Sequence, residues 1–107
     1  MLKIAICDDD SKCIEWYTKL FLQFAKKQKI ELEIVPYTTG EALLFDFASA
    51  AKQADAVYLD IHMVGLNGMQ VAKELRGMGY SKEIVFLTRD REFVFDAFDV
   101  KAFHYIV

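Results

Sequence analysis

The sequence predicts an α/β fold in which a five-stranded, doubly wound parallel sheet forms a single domain. Short apolar runs rich in β-branched residues alternate with longer segments whose apolar residues recur at helical spacing. The 107 residues are 54% hydrophobic and 27% charged, which is sufficient for one packed core. No internal repeat and no linker rich in glycine, serine or proline divides the chain. We therefore expect one domain over residues 1–107.

The first half of the chain predicts two strands and two helices. Leu2–Cys7 is the first strand, and Glu31–Tyr37 is the second. The spacing of Thr38 and Glu41 is that of a capping box, so this pair should open the second helix. The inward residues predicted for the first helix are Ile14, Tyr17, Thr18, Phe21, Phe24 and Ala25, and those for the second are Leu43, Leu44, Phe47 and Ala48.

The second half predicts three further strands and two helices. Ala54–Leu59 is the third strand, and the helix after it should end at Gly79. Its inward residues are predicted to be Val71, Ala72, Leu75 and Met78. Glu83–Leu87 is the fourth strand, a short fourth helix is expected near Glu92–Phe98, and Ala102–Val107 is the fifth strand.

Composition argues against several classes of protein. The net charge is -3 and the basic residues are dispersed, so we expect this segment not to bind nucleic acid directly. Cys7 and Cys13 lack the spacing of a zinc site or a redox motif and are expected to be reduced thiols. Because the apolar run Leu2–Cys7 is too short for a signal sequence or a membrane span, we expect a cytoplasmic protein without a membrane partner.

Acidic residues follow two of the predicted strands. Asp8, Asp9 and Asp10 come after the first strand, and Asp60 comes after the third. In doubly wound sheets ligands bind beyond the carboxyl ends of the strands, so these acids should converge there. Crowded carboxylates repel one another unless a cation neutralises them, and hard oxygen ligands suit Mg²⁺ or Mn²⁺. One of the acids could then attack phosphorus, with the Thr88 hydroxyl donating to the transferred group.

Ordinary structural roles are also open to these residues. Asp10 or Ser11 could cap the first helix, while neighbouring acids favour its dipole. Asp60 alone could be a turn residue, and Thr88 alone could be a cap. The conjunction of these residues at successive strand ends favours a functional site.

Four segments of the chain resemble the signature regions of response-regulator receiver domains of bacterial two-component systems. They are Ile6–Asp10, Tyr58–Ile61 with Gly65 and Gly68 after it, Phe86–Thr88, and Ala97–Tyr105. The likeness is strongest to the LytTR-type (LytR/AlgR-like) subfamily. It implies a flavodoxin-like sheet with strand order 2-1-3-4-5, and a phosphoacceptor switch instead of a turnover enzyme.

The resemblance also implies roles for individual residues. Asp60 would be the phosphoacceptor for a sensor histidine kinase, with Mg²⁺ (or Mn²⁺) as cofactor. The metal ligands would be Asp8, Asp9, Asp60 and the backbone carbonyl of His62.

A second set of implied roles concerns the switch and its surroundings. Thr88 and Tyr105 match the switch pair of the family, and Arg89 and Asp90 lie at the mouth of the site, where they would modulate the phosphoryl lifetime. The switch surface would be formed by the fourth helix and the fifth strand (α4–β5). The resemblance implies that a homodimer could form through this surface.

Two departures from the family pattern are visible. Val64 stands where the family usually has proline, and Arg89 stands where a small residue is usual. The sequence also stops at Val107, one residue before the lysine–proline pair of the family. We therefore expect residues 1–107 to be a C-terminally truncated receiver domain that lacks its last helix. The expected output domain, which is of the LytTR DNA-binding type, is absent from this chain.

Three other functions compete with the phosphoacceptor switch. A pseudo-receiver, acting as a protein-interaction module without phosphate, is disfavoured by the intact acids. A hydrolase of the haloacid dehalogenase type would carry a second Asp two residues after its nucleophile, where this chain has His62. A flavodoxin-like cofactor binder would need a phosphate-binding loop after the first strand, and that loop is missing.

Overall fold

A computed structural model of the chain describes residues 1–49 and 53–87 and the backbone of residues 104–106. All strand pairs are parallel, and the order of the five strands is β2-β1-β3-β4-β5, which confirms the predicted topology. The elements are β1 (Leu2–Cys7), α1 (Ser11–Gln28), β2 (Leu32–Tyr37), α2 (Gly40–Phe47), β3 (Ala56–Asp60), α3 (Gly68–Gly77), β4 (Glu83–Leu87) and β5 (His104–Ile106). The fourth helix, predicted near Glu92–Phe98, lies outside the described residues.

The strand bounds agree with the prediction to within one or two residues. β1 and β4 have the predicted bounds, whereas β3 begins two residues later than Ala54 and extends to Asp60. Ala54 is buried before the strand begins, and its carbonyl accepts a hydrogen bond of 2.8 Å from the Tyr80 hydroxyl. A side chain thus satisfies this carbonyl in place of a sheet partner.

The two faces of the sheet are covered by different helices. On one face, α2 and α3 contribute buried residues such as Leu43 and Leu75, which cluster with Ala5 of β1. On the other face, Ile4 and Ile6 of β1 cluster with Ile14 of α1. The alternation of side chains along a strand accounts for this division. The sheet therefore lies between two helical layers, with α1 on one face and α2 and α3 on the other.

Three residues predicted to face the core are exposed. They are Phe24 of α1, Ala48 at the end of α2 and Met78 at the end of α3. Phe24 is 59% exposed because Phe21 and Ala25 occupy the line of α1 that faces the sheet. Ala48 and Met78 are C-cap residues, where the inward stripe of the helix has already ended. Within the described residues, no helix has both the length and the apolar character needed to cross a bilayer.

The capping residue of α2 also differs from the prediction. Thr39, not Thr38, is the N-cap, and its hydroxyl accepts a hydrogen bond of 3.1 Å from the backbone N–H of Ala42. The helix begins one residue later than the spacing of Thr38 and Glu41 indicates. Glu41 is therefore in the first turn of α2 instead of at the third position of a capping box.

We expect Thr39→Ala to lower the free energy of unfolding by about 1 kcal/mol, because it removes the oxygen that satisfies an orphan N–H of α2. Thr38→Ala is the matched control and should change stability by less than about half that amount. Urea denaturation of both variants measures the difference. Equal losses in the two variants, or a larger loss for Thr38→Ala, would contradict the assignment of the cap.

Candidate functional site

The ends of β1 and β3 bring three predicted site residues together. These strands are neighbours in which Cys7 pairs with Leu59, so the residues that follow on each strand emerge side by side. Asp8 is buried, Asp60 is half-buried, and Asp9 is exposed. Each offers a carboxylate oxygen, and these three atoms all lie within 4.8 Å of one another. The predicted convergence of the acids is therefore present.

Each of the three carboxylates accepts a hydrogen bond from a backbone N–H. An oxygen of Asp8 accepts from Asp10 at 2.9 Å, and one of Asp60 accepts from His62 at 3.2 Å. Oδ2 of Asp9 accepts from Val64 at 3.1 Å, across 55 positions of sequence. Backbone donors thus fix the orientation of the carboxylates before any ligand arrives.

The site raises the pKa of two of its acids, Asp60 and Asp8. Burial, followed by the negative charges of Asp8 and Asp9, raises the pKa of Asp60 to about 6. Burial likewise raises the pKa of Asp8, although its bond from Asp10 opposes this shift. A proton on Asp60 can be shared with Asp8 through a side-chain hydrogen bond. Because these carboxylates are close, ionisation of one makes ionisation of its neighbour less favourable, and positive charge at the site would offset this repulsion.

Asp10, the third acid after β1, has a structural role. Its Oδ1 accepts a hydrogen bond of 2.9 Å from the backbone N–H of Lys12, and it is the N-cap of α1. Its Oδ2 accepts a hydrogen bond of 3.6 Å from the thiol of Cys13. The capping role considered for Asp10 is thus correct, and the acids divide into one cap and two site residues.

The thiol of Cys7 lies beneath the site and is fully buried. Its Sγ donates to Sδ of Met63 at 3.6 Å, which connects β1 to the loop after β3. Burial and the surrounding acids raise the pKa of Cys7 to about 12. The thiol therefore stays protonated and is a weak nucleophile at neutral pH. Cys7 and Cys13 are both free, as predicted.

The loop between β3 and α3 is closed tightly at its base. The backbone N–H of Gly68 donates to the carbonyl of Ile61 at 3.0 Å. A Cβ on Gly68 would lie only 2.3 Å from the Asp60 carbonyl oxygen, so the start of α3 packs directly on the backbone of Asp60. A reciprocal capping box between Asn67 and Gln70 begins the helix at this point. The loop is thus anchored where it meets Asp60.

Two groups at the site were not predicted from the sequence. The backbone N–H of Val64 donates a hydrogen bond to Asp9 Oδ2. The carboxylate of Glu41 accepts a hydrogen bond of 3.2 Å from the backbone N–H of Leu66. For the contact between Val64 and Asp9, the sequence offered one indication. Position 64 is not proline, so its backbone N–H can donate a hydrogen bond. The sequence did not indicate the contact between Glu41 and Leu66, because the spacing of Thr38 and Glu41 predicted a capping box at the start of α2.

Of the other predicted site residues, His62 is described, Tyr105 is described only by its backbone, and three lie outside the described residues. Thr88, Arg89 and Asp90 follow β4 in the sequence and are not described. For Tyr105 the structure gives the backbone position, in β5 opposite Phe86 of β4. The side chain of His62 is exposed, and its N–H bonds Asp60. Their predicted roles remain predictions.

The residues present fit a hard divalent cation. Three carboxylate oxygens from two strands lie within 4.8 Å, and one of the carboxylates, Asp8, is buried. Burial and the negative charges of Asp8 and Asp9 raise the pKa of Asp60, and a bound cation would oppose both effects. Oxygen ligands in such number are the donor set preferred by Mg²⁺. Asp8, Asp9 and Asp60 are therefore the described residues suited to hold one.

Comparison with known proteins places this architecture among bacterial regulators. The chain is 31% identical over 106 residues to the sensory transduction protein LytT of Bacillus subtilis, covering 99% of this chain and 42% of LytT. It is 27% identical over 106 residues to the transcriptional regulatory protein YpdB of Escherichia coli, covering 99% of this chain and 41% of YpdB. The chain thus spans less than half the length of these relatives, and LytT confirms the predicted likeness to LytTR-type regulators.

A solved structure and a family model agree with these relatives. The response regulator TrrA of Thermotoga maritima, solved in complex with Mg²⁺ and beryllium fluoride, is 28% identical with a TM-score of 0.83, covering 100% of this chain and 86% of TrrA. The family model for the response regulator receiver domain matches residues 4–107. This chain therefore belongs to the response regulator receiver domain family.

Proposed function

We propose that the chain is a phosphoacceptor switch in which Asp60 takes a phosphoryl group from a histidine kinase. The observation that carries this proposal is the convergence of Asp8, Asp9 and Asp60, whose carboxylate oxygens lie within 4.8 Å at two neighbouring strand ends. Asp60 is half-buried and centrally placed, and its neighbouring acids are available to hold the cofactor. It acts as a switch that is phosphorylated once, not as a turnover enzyme.

The transfer step follows from the carboxylate of Asp60. In its ionised form an oxygen of Asp60 attacks the phosphorus of a phosphohistidine. A P–O bond to Asp60 forms as the P–N bond breaks, and the released imidazole nitrogen takes up a proton. Asp60 then carries an acyl phosphate. The N–H of His62, 3.2 Å from Asp60 Oδ1, orients the attacking carboxylate.

Magnesium, or manganese in its place, is the proposed cofactor. Asp8, Asp9 and Asp60, with the backbone carbonyl of His62, would hold it. When bound, the ion supplies positive charge that offsets both the carboxylates and the phosphoryl oxygens. The complex of TrrA with Mg²⁺ and beryllium fluoride supports this choice. Asp8 and Asp9 then serve to bind the cation, while Asp60 alone carries the phosphoryl group.

The proposed response to phosphorylation passes along β4 and β5. Asp60 pairs with Leu87 at the end of β4, and Thr88 is the next residue in the sequence. We assign Thr88 and Tyr105 as the switch pair, with the Thr88 hydroxyl drawn to the phosphoryl group and the Tyr105 ring following. Arg89 and Asp90 would modulate the lifetime of the phosphoryl group.

The proposed partners follow from the family and from the longer relatives. Because YpdB is a transcriptional regulator of which the chain covers 41%, we assign residues 1–107 as the receiver part of a longer regulator. Its output domain would be of the LytTR DNA-binding type, and a sensor histidine kinase would be its donor. A homodimer through β5 and the predicted fourth helix would transmit the signal, in the cytoplasm.

Intact-mass analysis tests the proposal. We expect the full-length protein to gain one phosphoryl group from a small phosphodonor with Mg²⁺, and none when a chelator is added. Asp60→Asn should abolish the gain, because an amide cannot form the acyl phosphate. Asp55→Asn, at the residue just before β3 and at the end of the strand opposite Asp60, is the matched control and should retain it. Uptake that survives in Asp60→Asn would overturn the assignment.

A further inference from the structure

Glu41 is an exposed acid whose side chain reaches away from its own helix. It lies in the first turn of α2, where Thr39 already provides the cap. Its Oε1 accepts a hydrogen bond of 3.2 Å from the backbone N–H of Leu66, across 25 positions of sequence. The carboxylate therefore connects α2 to the loop that follows Asp60.

This loop is held by carboxylates on both sides of a single turn. Gly65 has a φ of 79°, a left-handed conformation at the bend between Val64 and Leu66. The N–H of Val64 donates to Asp9 at 3.1 Å, and the N–H of Leu66 donates to Glu41 at 3.2 Å. A Cβ on Gly65 would lie 3.2 Å from Glu41 Oε1, so Glu41 lies directly against the turn.

We infer that Glu41 is a positioning residue for the cation and phosphoacceptor site. By holding Leu66, it keeps the turn at Gly65 in place, and the turn presents the N–H of Val64 to Asp9. The Val64 N–H in turn orients the carboxylate that the cation would bind. Groups that bond a metal-ligating carboxylate commonly control metal affinity. This inference rests on the proposed function.

The effect of Glu41 on position can be separated from the effect of its charge. Its negative charge near the acidic cluster would by itself attract a cation at long range. Positioning requires only an acceptor oxygen 3.2 Å from Leu66 N, which a glutamine amide also supplies. Glu41→Gln therefore removes the charge and keeps the acceptor, whereas Glu41→Ala removes both.

Titration of the full-length protein with Mg²⁺ by calorimetry tests the inference. We expect Glu41→Ala to weaken Mg²⁺ binding by up to about 10-fold, the low end of the range for groups that bond a metal ligand directly, because Glu41 acts on Asp9 through the turn at Gly65. Glu41→Gln should bind close to wild type. Glu74→Ala, which removes an exposed acid from α3, is the matched control and should not change the affinity.

Amide exchange without any divalent cation provides a second readout. In Glu41→Ala the amide protons of Leu66 and Val64 should exchange faster than in wild type, and in Glu41→Gln they should stay protected. If Glu41→Ala binds Mg²⁺ as tightly as wild type does, the inference about Glu41 is overturned and the proposed function is unaffected. Equal weakening in the two Glu41 variants would show that charge is responsible and would also overturn it. If the wild-type protein binds no Mg²⁺, the proposed function fails, and the inference fails with it.

Discussion

Replacing Asp60 with asparagine should stabilise the folded protein by about 1 to 2 kcal/mol at about pH 8 without divalent cations. Burial and the charges of Asp8 and Asp9 raise the pKa of Asp60 from 3.8 to about 6. Such a shift corresponds to about 3 kcal/mol, and the expected effect is smaller because Asp60 is partly exposed and its charge is screened by water. The charged carboxylate is therefore costly in the cation-free fold, and the neutral amide removes that cost.

The sign of the pH dependence follows from the direction of the shift. A carboxyl whose pKa is raised in the folded state contributes stability below its unfolded pKa, and this contribution is lost as pH rises through about 6. The advantage of Asp60→Asn over wild type should therefore be full above pH 6 and should fade as pH falls toward 3.8. Urea denaturation of both proteins across this range, with a chelator present, measures the difference.

Asp55 provides a control of opposite sign. A hydrogen bond from the backbone N–H of Lys3 and then one from Lys82 lower the pKa of Asp55. The ion pair between Lys82 Nζ and Asp55 Oδ1 is 3.2 Å long. Asp55→Asn should thus destabilise the protein at about pH 8, and this loss should diminish in acid. Destabilisation by Asp60→Asn at high pH would contradict our account of the site.

Magnesium should reverse the order of stability. A ligand that binds only the folded state stabilises it in proportion to the logarithm of its concentration over Kd. Wild type retains all three carboxylates and should gain stability on addition of Mg²⁺, whereas Asp60→Asn should gain less. Thermal melts with and without Mg²⁺ make this comparison. An equal gain in both proteins would mean that Asp60 does not contribute to cation binding.

The substitution Gly68→Ala should lower the free energy of unfolding by about 2 to 3 kcal/mol. The new Cβ would lie 2.3 Å from the carbonyl oxygen of Asp60 and 2.9 Å from Cα of Ile61. Both are backbone atoms, so relief requires α3 or the end of β3 to move. Because that movement displaces Asp60 itself, phosphoryl uptake should fall together with stability.

Gly77→Ala, on the same helix, provides the matched control. Nothing lies within 4 Å of a Cβ at that position. Alanine should therefore be neutral there, or should stabilise the protein by up to about 1 kcal/mol through its greater helix propensity. Urea denaturation of both variants tests the pair. If Gly68→Ala is as stable as Gly77→Ala, the close packing of α3 on Asp60 is not significant.

The sequence by itself determined the fold class and the acids of the site. Side chains alternate along a strand, and the apolar runs Leu2–Cys7 and Glu83–Leu87 predicted β1 and β4 with their observed bounds. Parallel strands bring their carboxyl ends to one edge, which is why Asp8, Asp9 and Asp60 could be predicted to meet. These are properties of local pattern and topology, and both can be read from the order of residues.

Only the tertiary structure decided what each polar group near that edge does. Asp10 is a cap and Asp9 is not, although the two acids are adjacent in the sequence. Glu41 had the spacing of a capping residue, yet its carboxylate accepts a hydrogen bond from Leu66 in the loop between β3 and α3. Such contacts join positions 25 or 55 residues apart, and their geometry depends on how helices pack across the sheet. The raised pKa of Asp60 has the same origin, since burial and neighbouring charge arise only when the strands assemble.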